Sequence, residues 1–216
     1  MKVLRVLCFI FVPSRIKIWW LRSRGHNVAK SAYIGFSYLD VDSITLHEDS
    51  YIGHGNSFTR MKCLVIGAGG RVNRWNHFTS AGNGDGMFAL GERSAVTLRH
   101  YIDCSGGVVI GSDVIFAGHR STVFTHSKGA KQRMNYFAPV VIGDWCYIGS
   151  NTCIVPGFKL GDHCFVGMGS VLVGDMSASS YKLIAGSPAV EKKELSKDCG
   201  YFASGPICQP HVRSVA

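Results

Sequence analysis

From Ile142 onward the chain places an aliphatic residue at every sixth position: Ile142, Ile148, Ile154, Leu160, Val166 and Leu172. Glycine follows four of those six. A helical face repeats near every 3.6 residues and a half-buried strand every second residue, so a six-residue beat requires a short strand plus a turn, repeated. A single unit is too small to fold alone. Stacked units bury one aliphatic side chain per beat in a continuous column, which is the construction of a parallel β-helix. The 26 glycines suit a fold made of corners.

The beat recurs upstream with slips. Ile34, Leu46, Ile52, Phe58 and Leu64 share one register, with Asp40 in an expected apolar slot. Ile66, Val72 and Phe78 follow after a slip, a Gly-rich break occupies 80–86, and Leu90, Val96 and Ile102 resume. Ile110 and Phe116 come next, with Thr122 as a polar substitute in the column. Residues 125–139 carry no beat, and their Gly, Lys, Gln, Arg and Asn cannot fill a column. They read as a loop inserted into the solenoid, where binding and chemistry usually sit. The organisation expected is a basic amphipathic segment at 1–30, an all-β parallel helix at 31–190 and an irregular or helical tail at 191–216.

At 216 residues and 46% hydrophobic content the chain can fill one well-cored domain. It has eight cysteines but no CxxC pair and no convincing signal peptide, which fits a reduced, cytoplasmic protein better than a disulfide framework. Cys146 and Cys164 each follow a column residue by four and lie 18 apart, so they should stack one coil above the other, about 4.8 Å away. Small apolar corner fillers explain them better than a metal pair.

The net charge of +9 is uneven. Lys2, Arg5, Arg15, Lys17, Arg22, Arg24 and Lys30 precede the first acid, Asp40. A helix over 3–12 would gather Val3, Leu4, Val6, Leu7, Ile10 and Phe11 on one side; Pro13 would end it, and Trp19 and Trp20 follow. The apolar run is far shorter than the ~20 residues that cross a bilayer. It reads either as peripheral contact with an anionic membrane or as a cap on the open end of the solenoid. No nucleic acid is expected, because the cations are not interleaved with a recognised binding motif.

Residues 140–190, from VVIGDWCYIGSNTCIVPGFKLGDHCFVGMGSVLVGD to the exit SPA, resemble the C-terminal half of hexapeptide-repeat acyltransferases of the left-handed β-helix class. FTHSKGAKQRMNYFAPVVIGD, with His126 and Arg133, resembles the active-site loop of sugar O-acetyltransferases in that class. RHYIDCSGGVVIGSDVIFAGHRSTVFTHS and AYIGFSYLDVDSITLHEDSYIGHGN are similar to acetyltransferases of bacterial surface polysaccharides. The resemblance implies a left-handed helix, a homotrimer, acetyl-CoA as donor in a groove between coils, and a sugar or glycan acceptor. It also implies that Ser150, Met168, Val173 and Gly174 line the pantetheine groove. Many relatives carry Lys where this chain has Gly174; Lys192 or Lys193 would supply that cation, unless both lie on a solvated helix face.

His126 has its own case. Acyl transfer to a hydroxyl needs a base near neutral pKa, and His126 opens the only long break in the C-terminal beat. His119 should face outward. His100, four residues after Val96, sits at a corner that usually points inward, where a hydrogen-bonded structural histidine is the default. With Arg99 and Asp103 it would otherwise line the acceptor pocket or orient His126, while Arg133 positions the acceptor. A zinc hydratase resembling the carbonic anhydrases of this fold and a non-catalytic trimeric scaffold are the competing functions; the first needs three converging histidines.

Overall fold

A computed structural model describes residues 11–128 and 135–204. The six-residue beat becomes three short parallel strands per coil, and each beat residue turns inward. On one side Ile34, Ile52, Val72, Val96, Phe116, Ile148, Val166 and Ile184 stand in register. Leu46, Ile66, Leu90, Ile110, Ile142, Leu160 and Met176 fill the second side. Leu39, Phe58, Phe78, Ile102, Val123, Ile154 and Leu172 fill the third. All are buried except Leu39 and Met176, which lie at the ends and are partly covered. Each buried side chain contributes about 1.5–3 kcal/mol, so the column stabilises the stack as a whole. The fold is a parallel β-solenoid.

One inner corner is polar for a physical reason. The residue before it adopts a left-handed backbone in successive coils (Gly55, Trp75, Arg99, Arg120, Asn151), which turns the following N–H into the stack. The polar side chain of the coil below accepts it: Asn56 N–H donates to Ser37 Oγ, Asn76 N–H to Asn56 Oδ1, His100 N–H to Asn76 Oδ1 and Ser121 N–H to His100 Nδ1. These rungs satisfy donors that would otherwise be buried without partners.

Two expected column positions shift. Val123, not Thr122, pairs with Ile102 and points inward, because a bulge between Phe116 and His119 adds a residue. Asp40 does not occupy an apolar slot: Leu39, only five residues after Ile34, pairs with Phe58 and meets the core, which leaves Asp40 outside, accepting the Arg60 N–H at 3.0 Å across a bulge in the adjoining strand.

Both ends carry a short helix, as expected, and the strands run past the expected bounds. Strands begin at Asn27–Val28, before residue 31, and continue past 190 as an antiparallel hairpin of Lys182–Gly186 with Ala189–Glu194. Lys192 and Lys193 therefore lie on a strand rather than a helix. Helix α1 (Ser14–Ser23) follows Pro13 and closes the solenoid with Ile18 and Leu21; the helix expected over 3–12 falls almost wholly outside the described residues. A short helix α2 (Gly200–Ser204) folds back so that Tyr201 and Phe202 pack on Phe165 at 5.0 and 5.6 Å. Tyr201 also meets Tyr147 edge-on and donates to the Cys146 carbonyl at 3.0 Å.

Candidate active site

The long break leaves the solenoid as a hairpin. His126–Lys128 pairs antiparallel with Asn135–Phe137, and the Ala138 N–H donates to the Thr125 carbonyl at 2.9 Å, closing its base. The base presses on Gly106, where an added Cβ would stand 2.6 Å from the Thr125 oxygen and 2.8 Å from the Ala138 nitrogen. Only glycine permits that approach. Arg133 lies outside the described residues.

At the root of this hairpin His126 Nδ1 donates to Asp103 Oδ2 at 2.8 Å. A carboxylate only accepts, so the partner fixes the proton on Nδ1 and leaves the Nε2 lone pair available. The imidazole is 35% exposed while the carboxylate is buried. Asp103 is itself held on both oxygens. Oδ1 accepts the Ser105 hydroxyl at 2.6 Å, and Oδ2 accepts the Thr125 N–H at 2.9 Å and the Thr125 hydroxyl at 2.8 Å. Burial alone would raise the Asp103 pKa; the hydrogen bonds from Ser105, Thr125 and His126 outweigh it and hold the carboxyl below its ordinary value. The result is a permanent buried anion behind an accessible imidazole.

Beside the pair the outer surface is aromatic. His77, Tyr101 and Phe124 project from neighbouring strands, with ring centroids 5.5 and 5.9 Å apart, and all three are exposed. Tyr101 precedes Asp103 by two residues, so the platform adjoins the pair along the strand. Burial first, then the Asp103 charge, pushes the Tyr101 phenol up, with Arg60 opposing.

The other expected site residues separate. His100 is buried: its Nδ1 accepts the Ser121 N–H at 3.1 Å, its Nε2 meets the Thr97 hydroxyl at 3.1 Å, and its ring stands edge-on to Phe116. Burial first and His119 second lower its pKa to about 4, so it is a neutral rung of the polar ladder and has no surface to offer an acceptor. Arg99, its neighbour, is exposed on the opposite side of that corner, and His119 faces outward. Asp103 contacts His126 directly rather than lining a pocket.

The donor-groove residues fall at two corners of one side. The pairing of Ile148 with Val166 and of Val166 with Ile184 puts Ser150, Met168 and Gly186 one above another. Met168 is 78% exposed, and the Lys192 ammonium lies 3.8 Å from where a Gly186 Cβ would stand. Lys192 thus joins Ser150 and Met168, whereas Lys193 pairs with Leu183. Val173 and Gly174 occupy the other corner, above the hairpin, with Val173 exposed. Gly174 has φ +80° with open space around it, so backbone conformation rather than crowding disfavours a lysine there. A protruding thioether and an ammonium thus share one corner.

Cys146 and Cys164 are buried and fill a corner as thiols, Cys146 donating to the Gly161 carbonyl at 3.2 Å and Cys164 to the Asp162 carbonyl at 3.4 Å; the neighbouring Cys164 first, and burial second, raise the Cys146 thiol. Among the described residues no three His, Cys, Asp or Glu side chains converge to hold a metal. Sequence reasoning missed Ser105 and Thr125, although Asp-x-Ser at 103–105 is a local turn pattern and Thr125 adjoins His126.

Residues 139–173 match the hexapeptide repeat of succinyl-transferase. No curated protein is significantly similar. Among solved structures, a hexapeptide-repeat containing acetyltransferase from Vibrio cholerae O1 biovar eltor, complexed with acetyl coenzyme A, superimposes with a TM-score of 0.54 at 23% identity, over 61% of this chain and 71% of that one. Galactoside acetyltransferase in complex with coenzyme A gives a TM-score of 0.54 at 22% identity, over 65% of this chain and 67% of that one. The chain thus carries a hexapeptide repeat at 139–173 and has the parallel β-solenoid fold that these acetyltransferases share.

Proposed function

We propose that the chain transfers an acetyl or other short acyl group from acyl-CoA to a hydroxyl or amine of a sugar, within the synthesis of a surface glycan. The Asp103–His126 pair carries this reading: a buried carboxylate fixes the imidazole tautomer, and the available nitrogen lies at the mouth of a hairpin beside an exposed aromatic platform. His126 Nε2 accepts the proton of the acceptor hydroxyl as its oxygen attacks the thioester carbonyl. The imidazolium, steadied by Asp103, returns that proton to the departing thiolate, so proton and charge balance over the cycle. Tyr101 and Phe124 offer flat faces for a sugar ring. Lys192 is the cation best placed for a CoA phosphate, with Met168 and Ser150 beneath it. The two acetyltransferases of the same fold that hold coenzyme A or its acetyl form support this donor.

Such solenoids assemble as trimers in the family the sequence resembles, and a trimer would supply the far wall of the groove. Tyr147 is no exposed ring awaiting a neighbour, because Tyr201 already covers it within the chain. The test is coenzyme A release from acetyl-CoA against a panel of sugars, nucleotide sugars and oligosaccharides. Acceptor-dependent release with a matching acetylated product supports the reading. Absence of release across the panel, from a protein that sediments as a trimer and binds coenzyme A, would leave a scaffold.

A further inference from the structure

One face of helix α1 completes the cap. Ile18 and Leu21 enter the core, the Ser14 hydroxyl accepts the Ile34 N–H at 2.9 Å, and Lys17 Nζ donates to the Gly35 carbonyl at 2.5 Å. Arg22 donates to the Val28 carbonyl at 2.6 Å. The opposite face has the wrong polarity for a cap, whose outer surface should be polar to keep a solenoid soluble. Trp19 is 68% and Ile16 53% exposed, with Trp20 and Phe11 also at the surface. Arg15, Arg24 and Lys30, from the same basic segment, are exposed, with Arg24 lying over the Trp20 ring at 5.1 Å. No acid occurs in the sequence before Asp40.

We propose that this outer face of α1 docks on an anionic lipid bilayer, placing the solenoid end-on to the membrane. Indole rings settle at the headgroup level, and surrounding cations are attracted by anionic lipid. Among the described residues no helix is long and apolar enough to cross a membrane, so contact would be interfacial. Charge chooses the occupant. A second copy would bring the same uniformly basic segment against itself, whereas an anionic leaflet complements both the cations and the exposed indoles. The inference is independent of the acyl-transfer reading.

The experiment is co-sedimentation of the full chain with vesicles of phosphatidylcholine plus phosphatidylglycerol and with vesicles of phosphatidylcholine alone. Binding to the first at low salt, weakened at high salt, is expected. Trp19→Ser with Ile16→Ser should weaken it about tenfold or more, since each loses its apolar insertion. Arg15→Gln and Arg24→Gln should each weaken it about fivefold. Both side-chain sets are exposed, so thermal unfolding should be unchanged. Wild-type protein that stays in the supernatant, or a Trp19→Ser, Ile16→Ser protein that binds as wild type, overturns the proposal. So does sedimentation without lipid in which that double variant dissociates an oligomer, which would make this face a contact between copies.

Discussion

Replacing Asp103 by Asn removes a charge while keeping nearly the same shape, and the surrounding hydrogen bonds determine how the new amide sits. Its oxygen must take the Oδ2 position, because the rigid Thr125 N–H there can only donate. It would then still accept from His126 Nδ1, so the tautomer survives. The amide nitrogen falls toward Ser105, whose hydroxyl can turn to accept it, while the Ser105 N–H gives up its long 3.3 Å bond to that position. Folding should change little, while the imidazolium formed during transfer loses its counter-charge. Two unit charges about 4 Å apart interact by about 4 kcal/mol at an effective dielectric of about 20. At about 1.36 kcal/mol per decade that sets a ceiling near 10³-fold on the rate. Because the imidazole is a third exposed, solvent screening reduces the effect, and about 10²-fold in kcat is expected. The assay is coenzyme A release at saturating acetyl-CoA, across pH. An Asp103→Asn enzyme with wild-type kcat would refute the dyad, whatever its stability.

His126→Ala should lower kcat by about 10²- to 10⁴-fold with coenzyme A binding and sedimentation unchanged; full activity would remove the base from this position. Lys192→Ala should raise the acetyl-CoA KM about three- to fivefold with kcat unaffected, as expected for one exposed ammonium on a phosphate, and equal affinity for dephospho-donors in both proteins would identify which phosphate it meets. Phe78 is buried between Phe58, stacked at 4.5 Å, and Phe88 at 4.7 Å, so Phe78→Ala should destabilise the solenoid by about 3–5 kcal/mol in denaturant titration. His100 is neutral in the fold, with its pKa lowered to about 4 against about 6.5 in an unfolded chain. The unfolded state therefore binds the extra proton: this contribution is fully present above pH 6.5 and is lost as pH falls toward 4, by about 3 kcal/mol at most. Melting temperatures followed over that window should fall less steeply in His100→Gln; parallel curves for the two proteins would contradict it.

The column was legible because a side chain repeats on one side of each coil whatever the turn between. It failed by one residue at Thr122, where a bulge adds a residue, and at Asp40, where the coil is one residue short; neither change marks the local pattern. His126 stood out because it opens a stretch that cannot stack. Its partner could not be chosen from Arg99, His100 and Asp103, since the coils differ in length and the register across them fixes which side chain reaches the hairpin. The left-handed residue Arg99 then turns its own side chain outward and His100 inward, so residues adjacent in sequence part at the corner. The cover over Tyr147 and Phe165 comes from Tyr201 and Phe202, in a tail whose sequence has no period to align with the coils.

The two breaks in the beat look like unrelated insertions, yet both end on the same carboxylate. The Gly-rich segment at 80–86 folds over Ser105: the Ala81 N–H donates to Ser105 Oγ at 2.8 Å, and the Gly86 N–H to the Ser105 carbonyl at 3.4 Å. With a lone pair of the Ser105 hydroxyl so occupied, its hydrogen is directed to Asp103 Oδ1. The second break brings Thr125 and His126 to Oδ2. Neither loop is long enough to bury an anion alone, and burying one without donors costs several kcal/mol. The second break supplies Thr125 and His126 and the first holds Ser105, the remaining donor, so that Asp103 stays ionised within the wall of an otherwise apolar stack, at the corner where the exposed aromatic platform ends. A solenoid needs no charge at that corner for its own stability. The coincidence of two insertions on one carboxylate is therefore accounted for by the imidazole it holds.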